Sequence, residues 1–129
     1  LSLVELTIFE KHIKRARFYK KLQDFGYCLI LKPIKTFRSL AETSYQKANC
    51  DVDLTLKTII DSHHFDRAII LSGDGDFLPL LKFIQNELGK EVFVLSRSER
   101  TAREIKQFAQ GNFRDFHYLR QHIEHIDSI

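Results

Sequence analysis

Ala68-Ile69-Ile70-Leu71-Ser72-Gly73-Asp74-Gly75-Asp76-Phe77 runs four apolar residues straight into two aspartates, each preceded by a glycine. A short unbroken apolar run suits a strand buried on both faces. Downstream, Phe77, Leu80, Leu81, Ile84 and Leu88 recur at helical spacing. Asp76 is placed to cap that helix, Pro79 falls in its first turn where a missing N–H costs nothing, and Gly89 closes it. Val92 to Leu95 is another apolar run, Thr101 to Phe108 another helix, and Phe116 to Leu119 a last short strand. Upstream, Asp51 to Ser62 is helical, with Val52, Leu56, Ile59 and Ile60 in one stripe. Tyr27 to Leu31, closed by Lys32-Pro33, reads as a further buried strand, and the polar span 36–49 reads as a loop.

At the start, Leu6, Phe9, Ile13 and Ala16 mark a helix over Leu3 to Ala16. The stripe then shifts phase to Phe18, Leu22 and Phe25, which predicts a break near Arg17 and a second piece ended by Gly26. Apolar strands alternating with helices predict an α/β fold with a central, mainly parallel sheet. Ligands of such sheets bind beyond the carboxyl ends of the strands. Asp74 and Asp76 follow such an end.

Composition narrows the function classes. The 129 residues, 43% hydrophobic and 29% charged, suit one globular domain. No apolar run approaches the ~20 residues of a membrane span, and no signal-peptide pattern opens the chain. Two cysteines, Cys28 and Cys50, are too few for a disulfide scaffold or a cysteine zinc site, so a reducing cytoplasm is expected. The net charge of +3 permits nucleic-acid binding without demanding it. Its distribution says more. Lys11, Lys14, Arg15, Arg17, Lys20 and Lys21 lie in a span without an acid, and Lys90, Arg97, Arg100, Arg103 and Lys106 form a second basic set. The sequence has no methionine, so a longer gene product is expected.

The acids carry the chemistry. Asp76 is explained by capping, whereas Asp74 is neither capping nor paired in sequence, which makes it a candidate metal ligand. The plain alternative is a strand–turn–helix connection, in which Gly and Asp are common. Gly73 and Gly75 would permit a tight turn and close approach of a ligand. Asp51 and Asp53 open the preceding helix about 200° apart, at roughly 100° per residue. They flank its apolar stripe, and both would also serve as simple partners of the helix dipole. Mg²⁺ and Mn²⁺ take hard oxygen ligands, and several aspartates converging at a sheet edge would supply them. Such an ion lowers the pKa of a bound water and stabilises charge developing on phosphorus.

Other candidates are weaker. Arg97 and Arg100 follow a strand's carboxyl end and suit phosphate contact, or simple solvation. The Lys11–Lys21 set suits a nucleic-acid backbone or a solvated helix face. Lys47 would neutralise substrate or pair with Asp51. His63 and His64 read as surface residues. His122 and His125 have chelating spacing on a terminal helix but lack a third ligand. No Ser-His-Asp or Cys-His arrangement is present, and Gly73 and Gly75 form no dinucleotide or P-loop fingerprint.

Two motifs together resemble a known family. Lys47-Ala48-Asn49-Cys50-Asp51-Val52-Asp53-Leu54 and Ser72-Gly73-Asp74-Gly75-Asp76-Phe77 are similar to signatures of NYN domains, including their LabA-like branch. Leu88-Gly89-Lys90, the run Val92 to Leu95 with Ser96, and Tyr27 to Lys35 continue the likeness, from about Gly26 to Leu119. NYN domains are similar to PIN-domain nucleases. The resemblance implies a Rossmann-like, three-layer α/β/α fold and a Mg²⁺- or Mn²⁺-dependent ribonuclease in which a metal-bound water hydrolyses single-stranded RNA. It implies catalytic and metal-binding roles for Asp51, Asp53, Asp74 and Asp76, and leaves open whether Asp51 or Asp53 meets the ion. Lys47, Ser72, Arg97 and Arg100 become the substrate-binding candidates, and a homodimer is a further expectation. The family opens with a strand ending in Asp, followed by an Asn. No such segment occurs in Leu1 to Glu10, so residues 1–129 are expected to form one domain lacking its first strand. If that carboxylate is truly absent, a non-catalytic RNA- or protein-binding regulator on the same fold is the alternative. An aspartate-nucleophile phosphatase using Asp74 and Asp76 is disfavoured, because its pair belongs on the first strand.

Overall fold

The computed structural model describes residues 1–33, 35–38, 44–47 and 49–124. The chain divides into two compact units, Leu1–Asn49 and Cys50–Ile129.

The first unit opens with helix α1, Leu3–Asp24. A reciprocal capping box starts it: the Glu5 N–H donates to Ser2 Oγ (3.2 Å) and the Ser2 N–H donates to Glu5 Oε2 (2.7 Å). The bonds from the Ser2 backbone and side chain hold the Glu5 carboxyl below its usual range. The helix runs through Arg17 without the predicted break. The phase shift has no consequence because α1 buries no residue, and Lys14, Arg15, Arg17 and Lys20 are good helix formers. Gly26, at φ +92°, ends it as expected, with Gly26 N–H bonded to Gln23 O (2.9 Å) and Tyr27 N–H to Leu22 O (3.1 Å).

Two readings in this unit are corrected. Tyr27 to Leu31 is not a strand, and Tyr27, Ile30 and Leu31 are exposed. Apolar, β-branched composition makes a strand only where a neighbour offers a ladder and a packing surface. The span expected to be a loop instead carries an antiparallel pair, β1 (Lys35–Arg38) and β2 (Ser44–Lys47), with Phe37 opposite Tyr45. Its polar residues hid it from a reading based on hydrophobic runs.

The second unit holds α2 (Asp51–Ile60) and a parallel sheet of β3 (Arg67–Ile70), β4 (Glu91–Ser96) and β5 (Phe113–Asp115), in the order β3-β4-β5. Ala68 stands opposite Val92 and Val94 opposite Phe113. Between β3 and β4 lie a 3₁₀ turn (Gly75–Phe77), helix α3 (Leu78–Lys82) and a wider turn over Phe83–Glu87, where Leu88 N–H reaches back five residues to Phe83 O (3.1 Å). Helix α4 (Arg103–Ala109) joins β4 to β5, and α5 (Phe116–Ile123) follows. Parallel strands joined by helices make this the expected PIN-like α/β fold.

Ala68, Ile70, Val92 and Val94 from the strands bury against Leu80, Leu81, Ile84 and Ile105 from the helices. Burial is one-sided rather than two-sided: Ala68 and Ile70 point into this core, while Ile69 is 54% exposed. The predicted last strand, Phe116 to Leu119, is also corrected, since those residues begin α5 and the strand is Phe113–Asp115. The cause is a cap. Asp115 accepts from the N–H of His117 (2.8 Å) and from the N–H of Ser98 (3.3 Å). Asp115→Ala should therefore lower stability by about 1–2 kcal/mol in a urea titration.

Cys28 and Cys50 are free and exposed. Among the described residues no helix is long and apolar enough to cross a membrane. His125, and with it the His122–His125 pair, lies outside the described residues.

Candidate metal centre

The loop after β3 is held by its own side chains. Ser72 Oγ accepts from the Asp74 N–H (3.2 Å), and Asp74 Oδ1 accepts from the Asp76 N–H (2.9 Å). Asp74, not Asp76, is thus the capping residue of the turn that leads into α3. The expected assignment is reversed because the helix is preceded by a 3₁₀ turn, which moves the cap two residues upstream. Ser72, a substrate candidate in the sequence, shapes this loop through the same bond.

The glycines serve packing within the protein. A Cβ on Gly73 would lie 2.8 Å from Ser96 Oγ, Thr101 Cα and Thr101 Oγ1. A Cβ on Gly75 would lie 2.5 Å from Glu104 Oε1 and 3.2 Å from Ala102 Cβ. The Ala102 N–H also donates to Gly73 O (2.8 Å). The segment after β4 therefore clamps the acidic loop where the sequence suggested room for a ligand. Ser96, Thr101 and Glu104 carried no signal in the sequence, because the contact joins two crossovers.

Asp51 is the first residue of α2, whose N-terminal dipole favours a carboxylate. One carboxylate oxygen from each of Asp51, Asp74 and Asp76 lies within 4.8 Å of the other two. Asp51 is half-buried and the other two are exposed. Asp53, half-buried on α2, stands outside this group. The ~200° between them on the helix gives the reason.

These three side chains fit a small hard cation. Mg²⁺ binds oxygens at about 2.1 Å, so ligands on opposite sides of it are about 4.2 Å apart. Carboxylates already within 4.8 Å reach that span by small rotations. Without a cation, charges this close repel by about 1–4 kcal/mol per pair. Asp51 and Asp76 also line a cavity of about 400 Å³.

Of the basic candidates, Arg97 and Arg100 follow β4, the parallel neighbour of β3, and so share the sheet edge of Asp74. Arg97 pairs with Glu99, which offsets part of its charge, and Arg100 is exposed. Lys47 is the last residue of β2 and belongs to the first unit.

The NYN domain family profile matches residues 6–120. The chain is 27% identical over 109 residues to low amplitude and bright protein LabA of Synechococcus elongatus, a match covering 83% of this chain and 58% of that protein. The crystal structure of a protein of unknown function from Vibrio parahaemolyticus is similar with a TM-score of 0.65 and 32% identity, over 79% of this chain and 60% of that one. The chain thus spans less than two thirds of the length of either relative.

Proposed function

The chain belongs to the NYN domain family, and on that premise we propose that it is a divalent-metal-dependent ribonuclease acting on single-stranded RNA. The observation that carries this reading is the convergence of Asp51, Asp74 and Asp76 at the carboxyl edge of a parallel sheet. Asp74 and Asp76, fixed by the clamped loop, and Asp51, fixed by the start of α2, would hold Mg²⁺ or Mn²⁺. The bound ion supplies Lewis-acid chemistry, activating water and offsetting charge that develops on the phosphate. The carboxylates keep that ion at the sheet edge, and the rigidity of their loop limits the reorganisation that cleavage requires. Arg100, exposed beside β4, would take a flanking phosphate as a point contact.

Two outcomes follow. Mn²⁺ at tenfold excess over its dissociation constant should stabilise the protein by about 1.4 kcal/mol, read as a rise in melting temperature. Asp76→Asn should remove that rise. Labelled single-stranded RNA should be cut in Mn²⁺ and left intact in EDTA. Failure to cut in Mn²⁺ would contradict the reading and favour the non-catalytic RNA-binding regulator.

A further inference from the structure

The cavity beside the carboxylates has a composition that the metal chemistry does not use. Asp51 and Asp76 form one wall. The remaining lining is Val52, Thr55, Leu56 and Ile59 of α2, with Phe77. Four of those five side chains are wholly apolar. Three of them are well exposed, Val52 at 76%, Leu56 at 56% and Ile59 at 40%. Their packing inside this unit therefore does not explain why they are apolar. Thr55 contributes the only neutral polar group of the lining.

We infer that this cavity is a nucleobase slot, holding the base next to the phosphate that the carboxylate centre acts on. The inference rests on the ribonuclease reading above and adds to it how the strand is gripped. The cavity shares Asp51 and Asp76 with the proposed centre, so a phosphate held there places an adjoining nucleotide within reach of the apolar wall. A ribose or phosphate would be poorly served by aliphatic side chains and two carboxylates. A base offers an apolar face to Val52, Leu56 and Ile59, and its burial releases water from them. With so few polar groups in the wall, edge-specific hydrogen bonding has little to act through. The slot recognises the presence of a base rather than its identity, as stacking surfaces for single strands do.

The test uses the full chain and a single-stranded RNA whose principal cleavage point has first been mapped in Mn²⁺. The same RNA is then made with an abasic nucleotide immediately 5′ or immediately 3′ of that point. One of the two abasic RNAs should be cut about fivefold more slowly than the intact RNA, an effect of the size expected for losing one modest apolar contact. Leu56→Ala should slow cleavage of intact RNA by a similar factor, and the two changes together should be no worse than either alone. Exchange of one base for another at that position should change the rate less than removal of the base. Leu56→Phe, which fills the slot, keeps the test valid if the alanine variant folds poorly. Full-rate cleavage of both abasic RNAs, or losses that multiply in combination, would overturn the slot. So would a change in oligomeric mass on Leu56→Ala, which would assign the surface to a protein contact. If no RNA is cleaved, the ribonuclease reading fails by itself, and fluorescence anisotropy of the same RNAs decides the slot separately. Tighter binding of intact than of abasic RNA, equalised by Leu56→Ala, supports it, and equal binding removes it.

Discussion

Asp51→Asn should lower Mn²⁺-dependent cleavage of single-stranded RNA about a thousandfold, whereas Asp53→Asn should stay within about threefold of the unaltered protein. A thousandfold is about 4 kcal/mol of transition-state stabilisation, a reasonable loss for one charged ligand of a cation that works on phosphate. The two aspartates are alike in sequence, both in the first turn of α2, and both favourable to its dipole. Only Asp51 brings a carboxylate oxygen within 4.8 Å of both Asp74 and Asp76. Each Asn variant keeps its side chain's shape, so melting temperatures measured in EDTA separate a lost ligand from a damaged fold. Equal losses in the two variants would contradict the assignment of Asp51.

Gly73→Ala should destabilise the second unit by about 2–3 kcal/mol, while Gly75→Ala should cost less than about 1 kcal/mol, as read from urea midpoints. The added methyl at Gly73 meets backbone at Thr101 Cα, 2.8 Å away, together with Ser96 Oγ and Thr101 Oγ1. Ser96 and Thr101 are themselves buried, so neither side chain has room to withdraw. The bond from Ala102 N–H to Gly73 O would lengthen as the loop moved away. At Gly75 the nearest atom is the far end of Glu104, an exposed side chain free to swing out. Cleavage should fall with Gly73→Ala even at temperatures where the variant is folded, because the displaced loop carries Asp74 and Asp76. Equal stability losses at the two glycines would show that the clamp is not the reason for Gly73.

What the sequence reveals here follows the range of the interactions. Ala68 to Phe77 was readable because a buried strand and an amphipathic helix each leave a local period, and the two carboxylates fall between them. The end of α1 at Gly26 was equally local. The unbroken passage of α1 through Arg17 was not, since a phase shift predicts a break only if both stripes are buried. The pair β1 and β2 was missed because its ladder is made by polar residues. Tyr27 to Leu31 failed in the opposite sense, apolar enough for a strand but without a partner strand among the described residues. At the site, the four aspartates were legible as candidates from their motifs. The choice of Asp51 over Asp53 was not, because it depends on how α2 lies against the turn at Gly75–Phe77. The clamp on Gly73 was invisible for the same reason, since it joins residues from two different crossovers.

The most direct measurement is cleavage of one labelled single-stranded RNA by the protein and by Asp74→Asn, side by side in Mn²⁺ and in EDTA. The amide oxygen of the substituted side chain would still accept the bond from the Asp76 N–H that shapes the loop, so the substitution removes charge and leaves the turn. Cleavage by the unaltered protein in Mn²⁺ alone, reduced at least about a hundredfold in the variant, is the expected result. Cleavage that survives EDTA, or that Asp74→Asn leaves intact, would contradict a metal-dependent ribonuclease centred on these three carboxylates.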